Sequence, residues 1–262
     1  MIKALFFDID GTLVSFKTHT IPSSTIDALA VARANGVEIY ISTGRPLALI
    51  NNISQIEHLI DGYITTNGAY CFVGETAISC SQIPKNDVLF VLDKSNELHF
   101  PCMVVGDTNL TMYNTASNPE KVKHIAEMLN VPDIEYELPV EDVLNQRILQ
   151  LTPFISEKQE SMTLPHLVNI ESRRWCPDFA DFTAKGVSKA KGLREIAAYR
   201  GFDLSETMAF GDGGNDLSIV MEAGMGIAMG NANQCLKQAA DYITSSVDDN
   251  GIYNALIKYH VI

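Results

Sequence analysis

The sequence predicts an α/β protein whose core is a parallel sheet with helices on both faces, interrupted by an inserted α+β unit with an antiparallel sheet. Near both ends of the chain, short apolar runs that end abruptly at polar residues alternate with helix-like segments. That alternation is typical of buried parallel strands joined by right-handed crossovers. In the middle, strand-like segments follow one another without that alternation. A chain of 262 residues is long enough for a core and such an insertion.

The predicted core comprises residues 1–82 and 185–262, and the predicted insertion residues 83–184. The elements expected in the first half of the core are a strand at 4–7, a helix from Pro22 to Gly36, a strand at 37–41, a helix opening at Pro46 and a strand at 62–66. Those expected in the second half are a helix at 188–200, with Ser188 as N-cap and Gly201 as stop, and strands at 207–210, 225–229 and 242–244. Those expected in the insertion are helices at 84–95 and 119–130, strands at 102–105 and 110–113, and extended segments at 147–151, 167–171 and 174–183.

Charge and composition exclude several classes of partner. The chain has 32 acidic and 19 basic residues, a formal net charge of −13. Nucleic acid and anionic membranes are polyanions that need a basic surface, so neither is an expected partner. Apolar runs stay short of the roughly 20 residues of a membrane-spanning helix.

A cytoplasmic location is also expected. The chain runs from Met1 directly into a predicted strand, which leaves no room for a signal peptide. The five cysteines match no zinc or redox spacing and are expected to be reduced and to act as small apolar side chains. For the oligomeric state, we expect a monomer or a weak homodimer.

Four polar clusters stand where predicted parallel strands end or a helix begins. They are residues 8–12 (Asp-Ile-Asp-Gly-Thr), residues 43–45 (Thr-Gly-Arg), Lys189, and residues 211–216 (Gly-Asp-Gly-Gly-Asn-Asp). Ligands of open parallel sheets bind outside the carboxyl ends of the strands, so these distant clusters are expected to converge. Clustered carboxylates need a cation, and hard oxygen ligands suit Mg²⁺. A lysine, a threonine hydroxyl and loop amides suit a phosphoryl group, so phosphoryl transfer fits the set.

These motifs and their order resemble those of the haloacid dehalogenase superfamily. Residues 8–12 match its DxDGT motif, residues 43–45 its second motif, Lys189 its third, and residues 211–216 its fourth. Together they resemble the Cof-type sugar-phosphate phosphatases, which implies a Rossmann-like core and an inserted type IIB cap. Gly213 and Ala190 depart from the family pattern, but neither departure removes a chemical group that the reaction needs.

The resemblance implies catalytic and metal-binding roles. Asp8 is the expected nucleophile, and Asp10 the acid that protonates the leaving oxygen and then the base that activates water. Mg²⁺ is expected on a carboxylate oxygen of Asp8, the backbone carbonyl of Asp10, and Asp212. Asp216 is expected to orient Lys189 or metal-bound water.

The resemblance also implies the phosphate-binding residues. Thr43 and the amide of Gly44 are expected to bind phosphoryl oxygens, and Lys189 to neutralise their charge. The spacing of the family's motifs selects Lys189 over the neighbouring Lys185 and Lys191. Asn215 is expected to contact phosphate or the loop that forms the expected metal site. Arg45 is expected to reach toward the substrate, with an ion pair to the cap as the alternative.

The sequence thus predicts a Mg²⁺-dependent phosphatase acting on a small phosphorylated metabolite, above all a hexose or pentose phosphate, through an aspartyl phosphate. The cap is expected to close over the core and set specificity. A phosphosugar mutase using the same aspartyl phosphate is the first alternative, and a non-catalytic phosphate-binding module the second. A receiver-type signalling domain also has an acidic pocket, but it needs neither an acid–base group like Asp10 nor so long an insertion.

Overall fold

The computed structural model describes residues 1–128 and 138–262 and divides into two units. The first unit contains Met1–Ser79 and Ser188–Ile262, and the second contains Cys80–Val187. Among the described residues, one sheet has eight strands and the other has five. The predicted fold class, a parallel α/β core with an inserted α+β unit, is confirmed.

The bounds of the elements are as follows. The strands are β1 (Ala4–Phe7), β2 (Glu38–Ser42), β3 (Gly62–Thr65), β4 (Tyr70–Val73), β5 (Thr76–Cys80), β6 (Cys102–Gly106), β7 (Leu110–Tyr113), β8 (Ile148–Pro153), β9 (Ile170–Cys176), β10 (Phe179–Ala184), β11 (Thr207–Gly211), β12 (Met225–Ala228) and β13 (Tyr242–Ile243). The α-helices are α1 (Ser23–Ala34), α2 (Lys85–Leu98), α3 (Pro119–Met128), α4 (Val140–Leu144), α5 (Glu157–Thr163), α6 (Lys189–Arg200), α7 (Leu217–Glu222), α8 (Gln234–Ala239) and α9 (Gly251–Lys258).

The sheet of the first unit has the order β13-β12-β11-β1-β2-β3-β4-β5. Neighbouring strands from β13 to β3 run parallel, with β1 between β11 and β2. All four residues of β1 are buried. Phe7 stacks on Phe210 of β11 with ring centroids 4.7 Å apart, and Phe6 stacks on Tyr40 of β2 at 4.9 Å. Since parallel strands share one direction, the loops after β1, β2, β3 and β11 leave the sheet at the same edge.

Two features of the first unit differ from the prediction. Strands β4 and β5 extend the parallel sheet as an antiparallel edge, with β4 paired to β3. The prediction of a helix that opens at Pro46 is wrong, because the chain forms only a short 3₁₀ turn at Leu47–Leu49. Arg45 Nη1 donates to the carbonyl of Leu49 at 2.9 Å, an acceptor that an α-helix would use for the amide of Ile53.

The second unit has an antiparallel sheet of order β7-β6-β8-β10-β9. This unit has its own apolar core, in which α2 and α4 pack against β6, β8 and β10. Its buried residues include Val91, Val143, Val104, Leu151 and Phe182.

The segments expected in the insertion differ from the observed elements in detail. Residues 174–183 form parts of two strands, β9 and β10, separated at Pro177 and Asp178. The strand expected at 167–171 begins only at Ile170. Helix α3 is described to Met128, and the predicted continuation to Asn130 lies outside the described residues.

No helix in the described ranges has the length and apolar character needed to cross a membrane.

Tight packing of α7 against β12 generates the first prediction. A Cβ at Gly226 would lie 2.0 Å from the carbonyl oxygen of Val220, a backbone atom that cannot move away cheaply. Gly226→Ala is therefore expected to lower the free energy of unfolding by about 1–3 kcal/mol, measured by urea denaturation. Gly214→Ala is the control, because a Cβ there would find its nearest neighbour at 3.9 Å. A Gly226→Ala protein as stable as the Gly214→Ala protein would contradict this packing.

Candidate active site

The structure brings the four polar clusters together at the carboxyl edge of the parallel sheet. Asp8 follows β1, Thr43 follows β2, Asp212 follows β11, and Lys189 is the first residue of α6. Helix α6 begins where predicted, because the Ser188 hydroxyl accepts a hydrogen bond from the amide of Lys191. Residues far apart in sequence thus meet because parallel strands end together.

Lys189 is the centre of the cluster. Its Nζ lies 2.6 Å from Asp8 Oδ1 and 2.6 Å from Asp216 Oδ1, and the lysine is 1% exposed. Burial acts to lower the pKa of this ammonium, but the two carboxylates outweigh burial and raise it. Lys189 is therefore a permanent buried cation beside Asp8. Lys191 instead forms an ion pair with Glu195.

Asp216 links the lysine to the loop after β11. Its Oδ1 accepts from Lys189, and its Oδ2 accepts from the backbone amides of Asp212 and Gly213 at 3.0 and 2.9 Å. Both oxygens of this fully buried carboxylate are occupied by hydrogen-bond donors. Asp216 thus fixes the position of Lys189.

Asp8, Asp212 and Asp216 form a group that could hold a metal ion. One oxygen from each lies within 4.8 Å of the others. Three carboxylates against one lysine leave two negative charges. Burial and the neighbouring carboxylates raise the pKa of Asp8, and burial and Asp8 raise the pKa of Asp212. A divalent cation would neutralise this excess, and the all-oxygen donor set fits a hard ion.

Among the described residues, one oxygen of Asp212 has no side-chain hydrogen-bond donor. Thr12 Oγ1 donates to Asp212 Oδ1 at 3.2 Å, whereas Oδ2 lies close to Gly11. A Cβ at Gly11 would lie 2.3 Å from that oxygen, and its φ of +83° also favours glycine. The Gly-Thr pair after Asp10 therefore leaves room for Asp212 and orients it.

Asp10 is held by Arg45. Arg45 Nε and Nη2 donate to Asp10 Oδ2 and Oδ1 at 2.7 and 2.8 Å, a two-point fork that fixes the direction of the carboxylate. The expected contact between Arg45 and the substrate stays a prediction, since the guanidinium is engaged with Asp10 and Leu49 in this structure.

The expected phosphate-binding residues lie beside these groups. Thr43 is 1% exposed, and its hydroxyl accepts a hydrogen bond from the backbone amide of Arg45 at 3.0 Å. Asn215 Nδ2 donates to Asn67 Oδ1 at 3.4 Å. The amide of Asn67 also lies against Gly44, where a Cβ would stand 3.1 Å from Asn67 Oδ1.

Sequence reasoning assigned no role to three residues that support the site. Thr12 orients Asp212, Asn231 Nδ2 donates to the carbonyl of Gly11 at 2.8 Å, and Asn67 contacts Gly44 and Asn215. The Asn-Gly pair lies one residue after β3, at the carboxyl edge of the parallel sheet. Asn-Gly is a turn signal, and it could have identified Asn67.

Comparisons with known proteins identify the class. A sequence profile described as haloacid dehalogenase-like hydrolase matches residues 5–256. The chain therefore belongs to the haloacid dehalogenase-like hydrolase family, which confirms the resemblance drawn from its motifs. The predicted enzyme class, a hydrolase, is confirmed with it.

Individual relatives cover nearly the whole chain. The sugar phosphatase BT4131, a member of subclass IIB of the same superfamily, is 48% identical with a TM-score of 0.91, over 99% of this chain and 100% of the solved structure. BT1666 from Bacteroides thetaiotaomicron, also a phosphatase of this superfamily, is 35% identical with a TM-score of 0.88, over 100% and 96%. YkrA of Bacillus subtilis, named a putative phosphatase, is 31% identical over 97% of this chain and 96% of its own length.

The buried lysine generates the second prediction. Among the described residues, Lys189 is the only cation that forms an ion pair with Asp8, and Lys189→Met removes it. It leaves buried carboxylates facing one another, and we expect a loss of about 3–5 kcal/mol in the free energy of unfolding, measured by urea denaturation without divalent cations. Lys191→Met removes a partly exposed ion pair of the same helix and is expected to cost less than about 1 kcal/mol. Equal stability of the two variants would contradict the central role of Lys189.

Proposed function

We propose that this protein is a Mg²⁺-dependent phosphatase that hydrolyses small phosphorylated metabolites, above all hexose and pentose phosphates. The observation that carries the proposal is the buried Lys189 between Asp8 and Asp216, with Asp212 beside them. This arrangement combines a carboxylate nucleophile, a fixed positive charge for phosphoryl oxygens and a cation site. The 48% identity to a sugar phosphatase supports the substrate class.

In the proposed reaction, Asp8 attacks phosphorus. A bond forms between a carboxylate oxygen of Asp8 and phosphorus, the bond to the sugar oxygen breaks, and Asp10 donates a proton to the leaving alcohol. Asp10 then takes a proton from the water that attacks the aspartyl phosphate, and the bond between Asp8 and phosphorus breaks to release inorganic phosphate. One carboxyl group serves both steps because the first step leaves it ionised.

The remaining site residues bind the phosphoryl group. Thr43 and the amide of Gly44 donate to its oxygens, Lys189 offsets its charge, and Asn215 contacts it or the metal-site loop. Mg²⁺ would be held by the carboxylates of Asp8 and Asp212 and the backbone carbonyl of Asp10, and when bound it supplies charge neutralisation for the phosphoryl group.

We assign the second unit, Cys80–Val187, as the type IIB cap that selects the substrate. Its separate antiparallel sheet with helices and the subclass IIB membership of BT4131 support this assignment. We further propose that the protein acts in the cytoplasm, which fits its five free cysteines. We also propose that it is a monomer or a weak homodimer.

Phosphate release from a substrate panel tests the proposal. We expect the protein to release inorganic phosphate from hexose and pentose phosphates with Mg²⁺, to lose that activity in EDTA and to regain it when Mg²⁺ is restored. Nucleotides and phosphorylated acids in the panel measure selectivity. Isomerised sugar phosphate without released phosphate would indicate a mutase instead. Turnover that persists in EDTA would contradict the cation site.

Substitution of the two aspartates tests their separate roles. Asp8→Asn is expected to abolish phosphate release, by at least about 10³-fold in kcat, because an amide cannot attack phosphorus. Asp10→Asn is expected to lower kcat by about 10²–10⁴-fold while inorganic phosphate still binds. Rapid-quench trapping of labelled phosphate on the protein distinguishes the variants, since the Asp8→Asn protein should carry none. A covalently labelled Asp8→Asn protein would refute the nucleophile assignment.

A further inference from the structure

The loop that follows β3 has an unusual backbone. Thr66, Asn67 and Gly68 are consecutive residues with positive φ angles of 48°, 57° and 100°. All three are buried, and among the described residues Thr66 Oγ1 has no hydrogen-bond partner. A β-branched residue in this conformation is strained, and strain of this kind persists only where the surroundings fix it.

The surroundings that fix this loop are the polar clusters themselves. The amide of Thr66 donates to the carbonyl of Arg45 at 3.1 Å, and the amide of Asn67 donates to the carbonyl of Thr43 at 3.0 Å. Gly68 lies against the start of α6, where a Cβ would stand 2.2 Å from the carbonyl oxygen of Ser188. The loop therefore touches the segments that carry both Thr43 and Lys189.

The side chain of Asn67 completes these contacts. It is 1% exposed, and its Oδ1 accepts from Asn215 Nδ2 at 3.4 Å. The side-chain amide of Asn67 also lies against Gly44. A Cβ at Gly44 would stand 3.1 Å from Oδ1 and 3.3 Å from Nδ2 of Asn67. One buried amide thus meets two residues that the proposed function assigns to the phosphoryl group.

We propose that Asn67 is a positioning residue of the phosphoryl site. By holding the amide of Asn215 and the backbone of Gly44 against each other, it sets the spacing of two groups that bind phosphoryl oxygens from different loops. The strained backbone of residues 66–68 directs the side chain to that position. This inference rests on the proposed function, because it takes Gly44 and Asn215 as phosphoryl ligands.

Asn67→Gly is the informative variant, because glycine keeps the positive φ and removes only the side chain. Its matched control is Asn114→Gly in the second unit. Asn114 also has a φ of +57°, and its Nδ2 donates to the carbonyl of Ser95 at 2.9 Å. Each variant therefore loses a hydrogen-bonded asparagine side chain from a left-handed position.

We expect Asn67→Gly to lower kcat/KM for hexose phosphate hydrolysis by about 10–100-fold, and to raise the inhibition constant of inorganic phosphate, while thermal stability stays close to that of the control. Asn114→Gly is expected to stay within about twofold of the parent protein. The double variant Asn67→Gly, Asn215→Ala should lose less than the product of the two single losses, because Asn67 acts through Asn215. Activity of Asn67→Gly within about twofold of the parent, or strictly multiplicative losses, would overturn the inference.

Calorimetric titration with inorganic phosphate in Mg²⁺ separates this inference from the proposed function. If the parent protein hydrolyses nothing in the panel, the proposed function fails, and phosphate affinity then decides the role of Asn67. Weaker phosphate binding by Asn67→Gly than by the parent and the Asn114→Gly control would support the positioning role. Equal affinity in all three proteins, or no phosphate binding by the parent, would overturn it.

Discussion

The ion pair between Lys189 and the carboxylates of Asp8 and Asp216 is the interaction on which the site depends. An ammonium group with 1% exposure would cost several kcal/mol if it were unpaired, and so would a carboxylate buried beside it. Three parts of the fold must therefore agree in position: the loop after β1, the loop after β11 and the first turn of α6. The pairing of β1 with β11 supplies that agreement, and the stacked rings of Phe7 and Phe210 join the ends of these two strands.

Without a bound cation, the site has the same sign of charge as the whole molecule. A protein of net charge −13 repels anions at long range, so a phosphorylated substrate gains nothing from the overall field. Under the proposed function, attraction would come from groups within a few ångströms: Lys189, the loop amides and a cation held by the aspartates. Because the aspartates outnumber the lysine, a cation bound there would reduce the repulsion between these carboxylates and an anionic ligand.

Sequence reasoning succeeded where one local rule decides the outcome. Asp8 and Asp212 were predictable because each follows a short buried apolar run, and Lys189 because the motif spacing selects it from three nearby lysines. The fork between Arg45 and Asp10 and the contacts of Asn67 were not predicted, because each depends on which distant segments become neighbours. The β4–β5 edge was also not predicted, although β4 pairs with β3, the strand before it in sequence. The helix expected at Pro46 failed for a local reason: the guanidinium of Arg45, 4 residues before Leu49, donates to the carbonyl of that residue.

The position of β1 in the sheet constrains the order in which the protein can fold. Strand β1 is made first, yet it pairs with β11, which is synthesised only after the whole of Cys80–Val187. Until then one side of β1 lacks its partner, and Asp8 lacks the lysine that stands 181 residues away. Such separations make a sheet slow to assemble. Assembly of the site around Asp8 is therefore a late event on the ribosome, and the second unit, which has its own apolar core, can fold before the first is complete.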